Sequence, residues 1–359
     1  MNQTGPDISR RALLAGISAT AAAACLPAQA SAPPRRWIDV HHHFACQALR
    51  DFYASARNPD GSAAVMPPMH WNLDADLQDM ERGGTATAVL SQFVPADVGT
   101  LESRRVLARG INEAAAKLAG DHRGRFGHFA ALPLPDVDGC LAESAFAFDV
   151  LKADGFSTYT SLGDRWQGNA AFDAVYAELN RRKAVVFVHP TSPNCCRALV
   201  PGVPDPVIEF GTDTTRAIAG LVFGGVTTRF PDIRFIFSHA GGTMPFLIER
   251  FLGGTQAELV PGFATRGQDP PWTPTQPPQG ALHELRKLYY DTAQASNPVA
   301  MGALKRLVPM SQILYGTDVY YRTSVYTADA LTHCGVYSRR ELQALGRDNA
   351  LALLPQLHG

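Results

Sequence analysis

The 359-residue sequence has no run of lysine or arginine and almost no charge imbalance, with 32 basic residues against 33 acidic ones and a formal net charge of −1. Without a basic stripe there is nothing to track a phosphate backbone or hold an anionic lipid surface, so nucleic acid and membrane are excluded as partners. Cysteine is sparse. The six cysteines are irregularly spaced, which leaves no disulfide framework and no zinc-finger pattern, and room for one or two bridges at most. Nor does a glycine-rich phosphate turn follow the first strand pattern, as an open dinucleotide-binding sheet would require. Apolar residues at 46% and charged residues at 18% exclude disorder and describe a globular chain.

The N-terminus reads as an address. Ser9-Arg10-Arg11 opens the apolar stretch 12–26, which is too short to span a bilayer, and small residues follow at Ala28-Gln29-Ala30 and Ala30-Ser31-Ala32. Residues 1–32 therefore read as a cleavable export signal of the twin-arginine type, a route that carries folded proteins. Cleavage removes Cys25, leaves residues 33–359 as a single domain with no membrane anchor, and places the mature chain in the periplasm or outside the cell. Adjacent Cys195 and Cys196 receive no role.

β-branched and aromatic runs then recur at 37–40, 85–92, 127–134, 155–161, 184–189, 233–239, 288–292 and 313–317. Between them lie segments with helical spacing, such as Leu107, Ile111, Ala114 and Leu118, or Phe172, Val175 and Leu179. Eight strands alternating with helices predict an α/β fold, a (β/α)8 TIM-type barrel, whose active site is built at the C-terminal ends of the strands. Two Pro- and Gly-rich stretches, 58–69 and 261–280, read as long loops. The first is placed to wall the pocket, and the second reads as a solvent-exposed insertion.

Several strands end in groups that bind metal. In Asp39-Val40-His41-His42-His43-Phe44, alternation puts His41 and His43 on one face, while His42 packs toward the outer helices. The fifth strand ends at His189, the sixth at Ser238-His239-Ala240-Gly241-Gly242 and the eighth at Gly316-Thr317-Asp318. Imidazole and carboxylate at the same level of a barrel suit one divalent transition ion. Three imidazoles favour Zn²⁺, and a carboxylate with open positions also admits Mn²⁺. Phe44, Trp71, Phe93 and Tyr159 follow or end strands near the mouth. There they either face a flat substrate ring or belong to the core.

These same segments resemble the amidohydrolase-related family of metal-dependent decarboxylases, over nearly the whole of residues 33–359, and Tyr290-Asp291-Thr292-Ala293 with Ser296-Asn297-Pro298 is similar to the 6-methylsalicylate branch. The resemblance implies that His41, His43, His189 and Asp318 ligate one ion, and that His239 stands beside it as an acid/base. It also implies that Arg250, eleven residues beyond His239, reaches the neighbouring subunit's pocket in a homodimer. The implied reaction is non-oxidative decarboxylation of a small salicylate-like or muconate-type carboxylic acid, with Asp318 or His239 delivering the proton to the ring carbon.

Two rivals remain. The same barrel and ion can serve a single-metal hydrolase of an ester, lactone or amide, although the fourth strand, Gly155-Phe156-Ser157-Thr158-Tyr159-Thr160-Ser161, lacks the lysine with which two-metal relatives bridge their ions. A non-catalytic metal-binding protein would have no use for His239 beyond four ligands.

Overall fold

The computed structural model of the chain describes residues 37–67, 69–253, 259 and 273–358, together with Met1. Apart from Met1, the export signal read at 1–32 lies outside the described residues, as does most of the 261–280 insertion. Among the described residues no helix is long and apolar enough to cross a membrane.

Eight strands form one parallel sheet in sequence order: β1 Trp37–His43, β2 Thr85–Ser91, β3 Phe126–Ala131, β4 Gly155–Tyr159, β5 Val185–His189, β6 Arg234–Phe237, β7 Tyr289–Asp291 and β8 Ile313–Leu314. The first and last strands meet through the Val40 N–H on the Tyr315 carbonyl at 3.0 Å, the Asp318 N–H on the His41 carbonyl at 2.9 Å and a bridge between His42 and Val319. This closure is the predicted barrel. Its interior is apolar, with Ile38, Val40, Val89, Phe129, Phe187, Ile236 and Leu314 buried together in one cluster.

Register in β1 slips against β2 between Asp39 and His42. The slip re-aims side chains, as bulges do, so that Ile38 and Val40 join the interior cluster and the strand still ends with His41 and His43 beside that cluster's Phe187 and Phe93. Around the sheet run α1 Gln47–Ser55, α2 Leu73–Gly83, α3 Leu101–Asp121, α4 Val137–Asp149, α5 Asp173–Arg181 and α6 Glu209–Phe223. Local chemistry starts them. Asn72 caps α2 by accepting the Ala75 N–H at 3.1 Å, and Thr100 with Ser103 forms a capping box on α3. Leu107 and Ile111 are buried on α3, and Val175 and Leu179 on α5, as their spacing predicts.

All the predicted strands but the first are shorter than expected, and in two of them the difference bears on the site. The sixth stops at Phe237 and the eighth at Leu314, so Ser238-His239 and Thr317-Asp318 stand on the turns that follow. The backbone explains the difference. His239 has φ 56° and Asp318 has φ 66°, left-handed values that no strand residue adopts. Part of the 58–69 loop does wall the cavity, through Pro67 and Met69.

Candidate metal centre

His41, His43, His189 and Asp318, all buried, each present one ligand-type atom, and these four atoms lie within 4.8 Å of one another. His41 Nε2 is 3.3 Å from His43 Nε2 and 3.3 Å from Asp318 Oδ1, and His43 Nε2 is 3.0 Å from the same oxygen. Ligand atoms about 2.1 Å from a tetrahedral ion would stand roughly 3.4 Å apart. The spacing of these three atoms therefore fits a first-row divalent ion, and the fourth, on His189, lies within 4.8 Å of them.

Proton placement supports the same reading. His189 Nδ1 lies 2.7 Å from the Pro190 carbonyl, and a carbonyl only accepts, so the proton sits on Nδ1 and Nε2 presents a lone pair. That Nε2 is buried with no hydrogen-bond partner, and a ligand position is the ordinary explanation for such an orphan. Burial pushes the pKa of His189 well down, helped by His43 and His41, and burial also lowers His43, which keeps both imidazoles neutral. On Asp318 burial acts upward, but His41 with hydrogen bonds from His239 and His43 outweighs it and holds the carboxyl well below its usual range.

His41 is different. Burial opposes its charge, yet the Asp291 and Asp318 carboxylates overcome burial and lift its pKa to about 10. Its Nδ1 donates to Asp291 Oδ2 at 2.7 Å, so the proton that a cation would displace is the one on Nε2. Asp291 thus stands to His41 as a carboxylate behind a metal-type imidazole. Its other oxygen accepts the His239 N–H at 2.9 Å and the Ala293 N–H at 3.0 Å, so one carboxylate orients both His41 and the turn that carries His239. The role of Asp291 is missed by the sequence reading, although an acidic residue ending an apolar strand is the available signal. Gln294, which donates to Asp318 Oδ2, is missed as well.

His239 lies outside the group of four, with its Nε2 3.3 Å from Asp318 Oδ2. Behind β1, His42 is not packed among apolar helix residues. Its Nδ1 lies 2.9 Å from Asp39 Oδ2 and its Nε2 2.9 Å from Asp76 Oδ2 on α2, and despite burial these carboxylates raise its pKa to about 10.

Three of the four ligand-type residues, His43, His189 and Asp318, line a cavity of about 380 Å³. One wall is an aromatic stack in which Phe93 lies 5.0 Å from the His189 ring and Tyr159 lies 4.8 Å from Phe93 at 29°. Phe93 and Tyr159 line the cavity; Phe44 and Trp71 do not. The alternation that turns His43 inward turns Phe44 outward, into the cluster with Leu49 and Phe52 beneath α1. Trp71 packs edge-on against Phe44 at 6.2 Å and donates its indole N–H to Asp76 at 3.0 Å. Arg250 is exposed on α7, Ile248–Leu252, away from the cavity of its own chain. Cys195 and Cys196 are joined in a disulfide on the loop after β5.

The sequence pattern of the amidohydrolase family matches residues 38–356. This chain belongs to that family. It is 34% identical to the 6-methylsalicylic acid decarboxylase of Penicillium expansum over 289 residues, covering 78% of this chain and 84% of the relative. The Aspergillus aculeatus enzyme of the same name is 32% identical, across 89% of this chain and 96% of the relative. Among solved structures, the 5-carboxyvanillate decarboxylase of Novosphingobium aromaticivorans, with bound manganese, superposes with a TM-score of 0.73 at 16% identity, over 90% of this chain and 98% of that one. At that identity the likeness speaks for the shared fold.

Within this amidohydrolase, Asp291→Ala leaves His41 Nδ1 and two backbone N–H groups without their acceptor. Affinity for a divalent ion should fall roughly 10- to 100-fold, the usual cost of removing the group that orients a ligating histidine. Competition with a chromophoric chelator measures it, and an unchanged affinity would deny Asp291 that role.

Proposed function

We propose that the chain is a metal-dependent, non-oxidative decarboxylase of a small salicylate-like acid such as 6-methylsalicylate. The observation that carries this reading is the meeting of four ligand-type groups, three of which, His43, His189 and Asp318, line a cavity walled by Phe93 and Tyr159, with His239 Nε2 3.3 Å from Asp318 Oδ2. The named decarboxylases among its relatives favour this activity over the hydrolase. His41, His43, His189 and Asp318 would hold one divalent ion. Three imidazoles favour zinc, and the bound manganese of a structural neighbour keeps manganese as the second choice.

Held by these residues, the ion would supply Lewis acidity and orientation to the acid. The rest falls to the chain. Phe93 and Tyr159 offer a flat apolar face to the ring, which fixes the plane from which the reacting carbon is approached. As the carbon–carbon bond breaks, carbon dioxide leaves and the ring carbon takes one proton. We assign that proton to His239, because Asp318 belongs to the ligand group and His239 does not. Asp318 Oδ2 then steadies the imidazole.

Carbon dioxide release from a panel of hydroxybenzoic acids is the direct test, with elemental analysis of the same protein alongside. His189→Ala should lose the ion. His239→Ala should keep it while turnover falls about 10²- to 10⁴-fold, the range for removing a general acid. Loss of metal in step with activity would instead make His239 a ligand.

We also propose a homodimer in which Arg250 serves the partner's pocket. Support comes from Val207, Ile208, Phe246 and Leu247, large apolar side chains that stand exposed on two segments joined by the Thr243 N–H on the Gly211 carbonyl at 3.2 Å, close in sequence to Arg250. Guanidinium grips a carboxylate in a bidentate fork. Mixing an Arg250→Ala chain with a His239→Ala chain should regain activity that neither parent has, since one site of each mixed dimer is intact. Full activity in Arg250→Ala alone would end the proposal.

Export by the twin-arginine route to the periplasm is the remaining part of the reading, and it rests on Arg10 and Arg11 with the apolar stretch behind them. Cell fractionation should find the wild-type protein outside the cytoplasm and the Arg10→Lys, Arg11→Lys double variant retained within it. Equal distribution of the two would refute it.

A further inference from the structure

The cavity shares a wall with a second hollow of about 240 Å³ that lies outside it. Tyr53, Pro67, Tyr159 and Thr191 line both. The stack that begins at His189 and passes through Phe93 thus ends at Tyr159, on the boundary between the two spaces. Tyr53 reaches the same boundary from α1.

The two hydroxyls differ from those of the core tyrosines. Tyr176 donates to Gln167 Oε1 at 2.8 Å, Tyr290 to the Leu285 carbonyl at 2.9 Å and Tyr315 to the Ser324 carbonyl at 3.3 Å. A buried phenol ordinarily finds such an acceptor. Neither Tyr53 nor Tyr159 has one among the described residues. Both phenols stay protonated, since burial pushes Tyr159 up and, with Asp97, takes Tyr53 to about 12. Their hydroxyls are open to the joined space, where solvent or a bound ligand can accept from them.

The charge of the outer hollow narrows what the acceptor can be. Its carboxylate, Asp97, accepts from Arg197 Nη2 at 3.2 Å, so among the described residues the one cation lining the outer hollow is already paired, while Arg322 lines the inner cavity. A second carboxylate would be desolvated beside Asp97. A neutral oxygen fits.

Resting on the decarboxylase reading, we propose that Tyr53 and Tyr159 form a subsite for a neutral oxygen-bearing substituent of the aromatic acid, on the ring edge that projects toward the outer hollow. The substrate class is then an oxygenated salicylate, carrying a hydroxyl, hydroxymethyl or acetyl group. A purely alkyl-substituted acid, 6-methylsalicylate included, would be accepted without drawing on this subsite.

Pairs of 2-hydroxybenzoates matched in size, with ethyl against acetyl or methyl against hydroxyl at ring positions 4 and 5, test this. Calorimetric binding and carbon dioxide release are measured for the wild type, Tyr53→Phe and Tyr159→Phe, with metal content checked in each. The wild type should prefer the oxygenated member at one position, and each phenylalanine variant should lose about 3- to 10-fold of that preference, the worth of one neutral hydrogen bond. The phenylalanine ring keeps the stack, so equal losses on both members would reduce the tyrosines to packing and overturn the proposal. An unchanged preference in both variants would overturn it too. If no acid releases carbon dioxide but the preference in binding is present and lost in the variants, the activity reading fails while the subsite stands.

Discussion

Asp39 holds the seam on which the rest of this molecule depends. Wholly buried between the first and last strands, its Oδ1 accepts the N–H groups of His41 at 2.9 Å and Thr317 at 3.1 Å, and its Oδ2 accepts the Thr317 hydroxyl at 2.5 Å. The Thr317 oxygen in turn accepts the Val319 N–H at 3.1 Å. One carboxylate therefore fixes the residues on both sides of Asp318 and the backbone of His41. A barrel strand two residues long, as β8 is, cannot position a ligand by ladder hydrogen bonds alone. Side-chain acceptance by Asp39 supplies what the ladder lacks, and barrel closure and site assembly become one event.

The same carboxylate begins a chain of alternating charge. Asp39, His42 and Asp76 run outward to α2 and Trp71, while Asp291, His41, Asp318 and His239 run across the mouth. An isolated charge in such surroundings would be untenable, since desolvation costs several kcal/mol per ion. Every carboxylate here is met by N–H donors or imidazoles. The cluster lacks internal balance at one place only, where three imidazole nitrogens and a carboxylate oxygen converge. A divalent cation satisfies all four at once, which is why the arrangement reads as a metal centre and not as a polar network of the core.

How far the sequence reveals this follows from what fixes each residue. His41, His43, His189, His239 and Asp318 are legible because barrel geometry assigns a place to any polar residue that ends an apolar strand. Asp291 meets the same criterion, yet its role is hidden: its partner is 250 positions away, and spacing carries no information about that distance. Phe44 was readable and is misread, since its parity with His43 already sends it to the outer face. Trp71 and His42 were not readable, because both are placed by Asp76 on a helix whose rotation about its axis no local pattern determines. Tyr159 and Phe93 lie at the ends of their strands, where the aromatic wall forms. Tyr53 is set by how α1 packs, a tertiary outcome.

The turns after β6 and β8 show why the functional side chains stand just beyond their strands. His239, Ala240 and Asp318 all take left-handed backbone values, a conformation that costs a non-glycine residue about 1 kcal/mol or more. Glycine would relieve the strain and remove the side chain. His41, His43 and His189 reach the barrel axis from inward-facing strand positions, whereas His239 and Asp318 stand beyond the ends of their strands and must be turned back toward it. The enforced φ makes that turn. Its cost is offset by hydrogen bonds on each side: the Asp318 N–H goes to the His41 carbonyl at 2.9 Å, the Tyr321 N–H to the Asp318 carbonyl at 2.8 Å and the His239 N–H to Asp291 at 2.9 Å. Each acceptor for these strained turns is a ligand, the residue behind a ligand, or the turn itself. Strain and site are therefore held by the same bonds, and loosening either one releases the other.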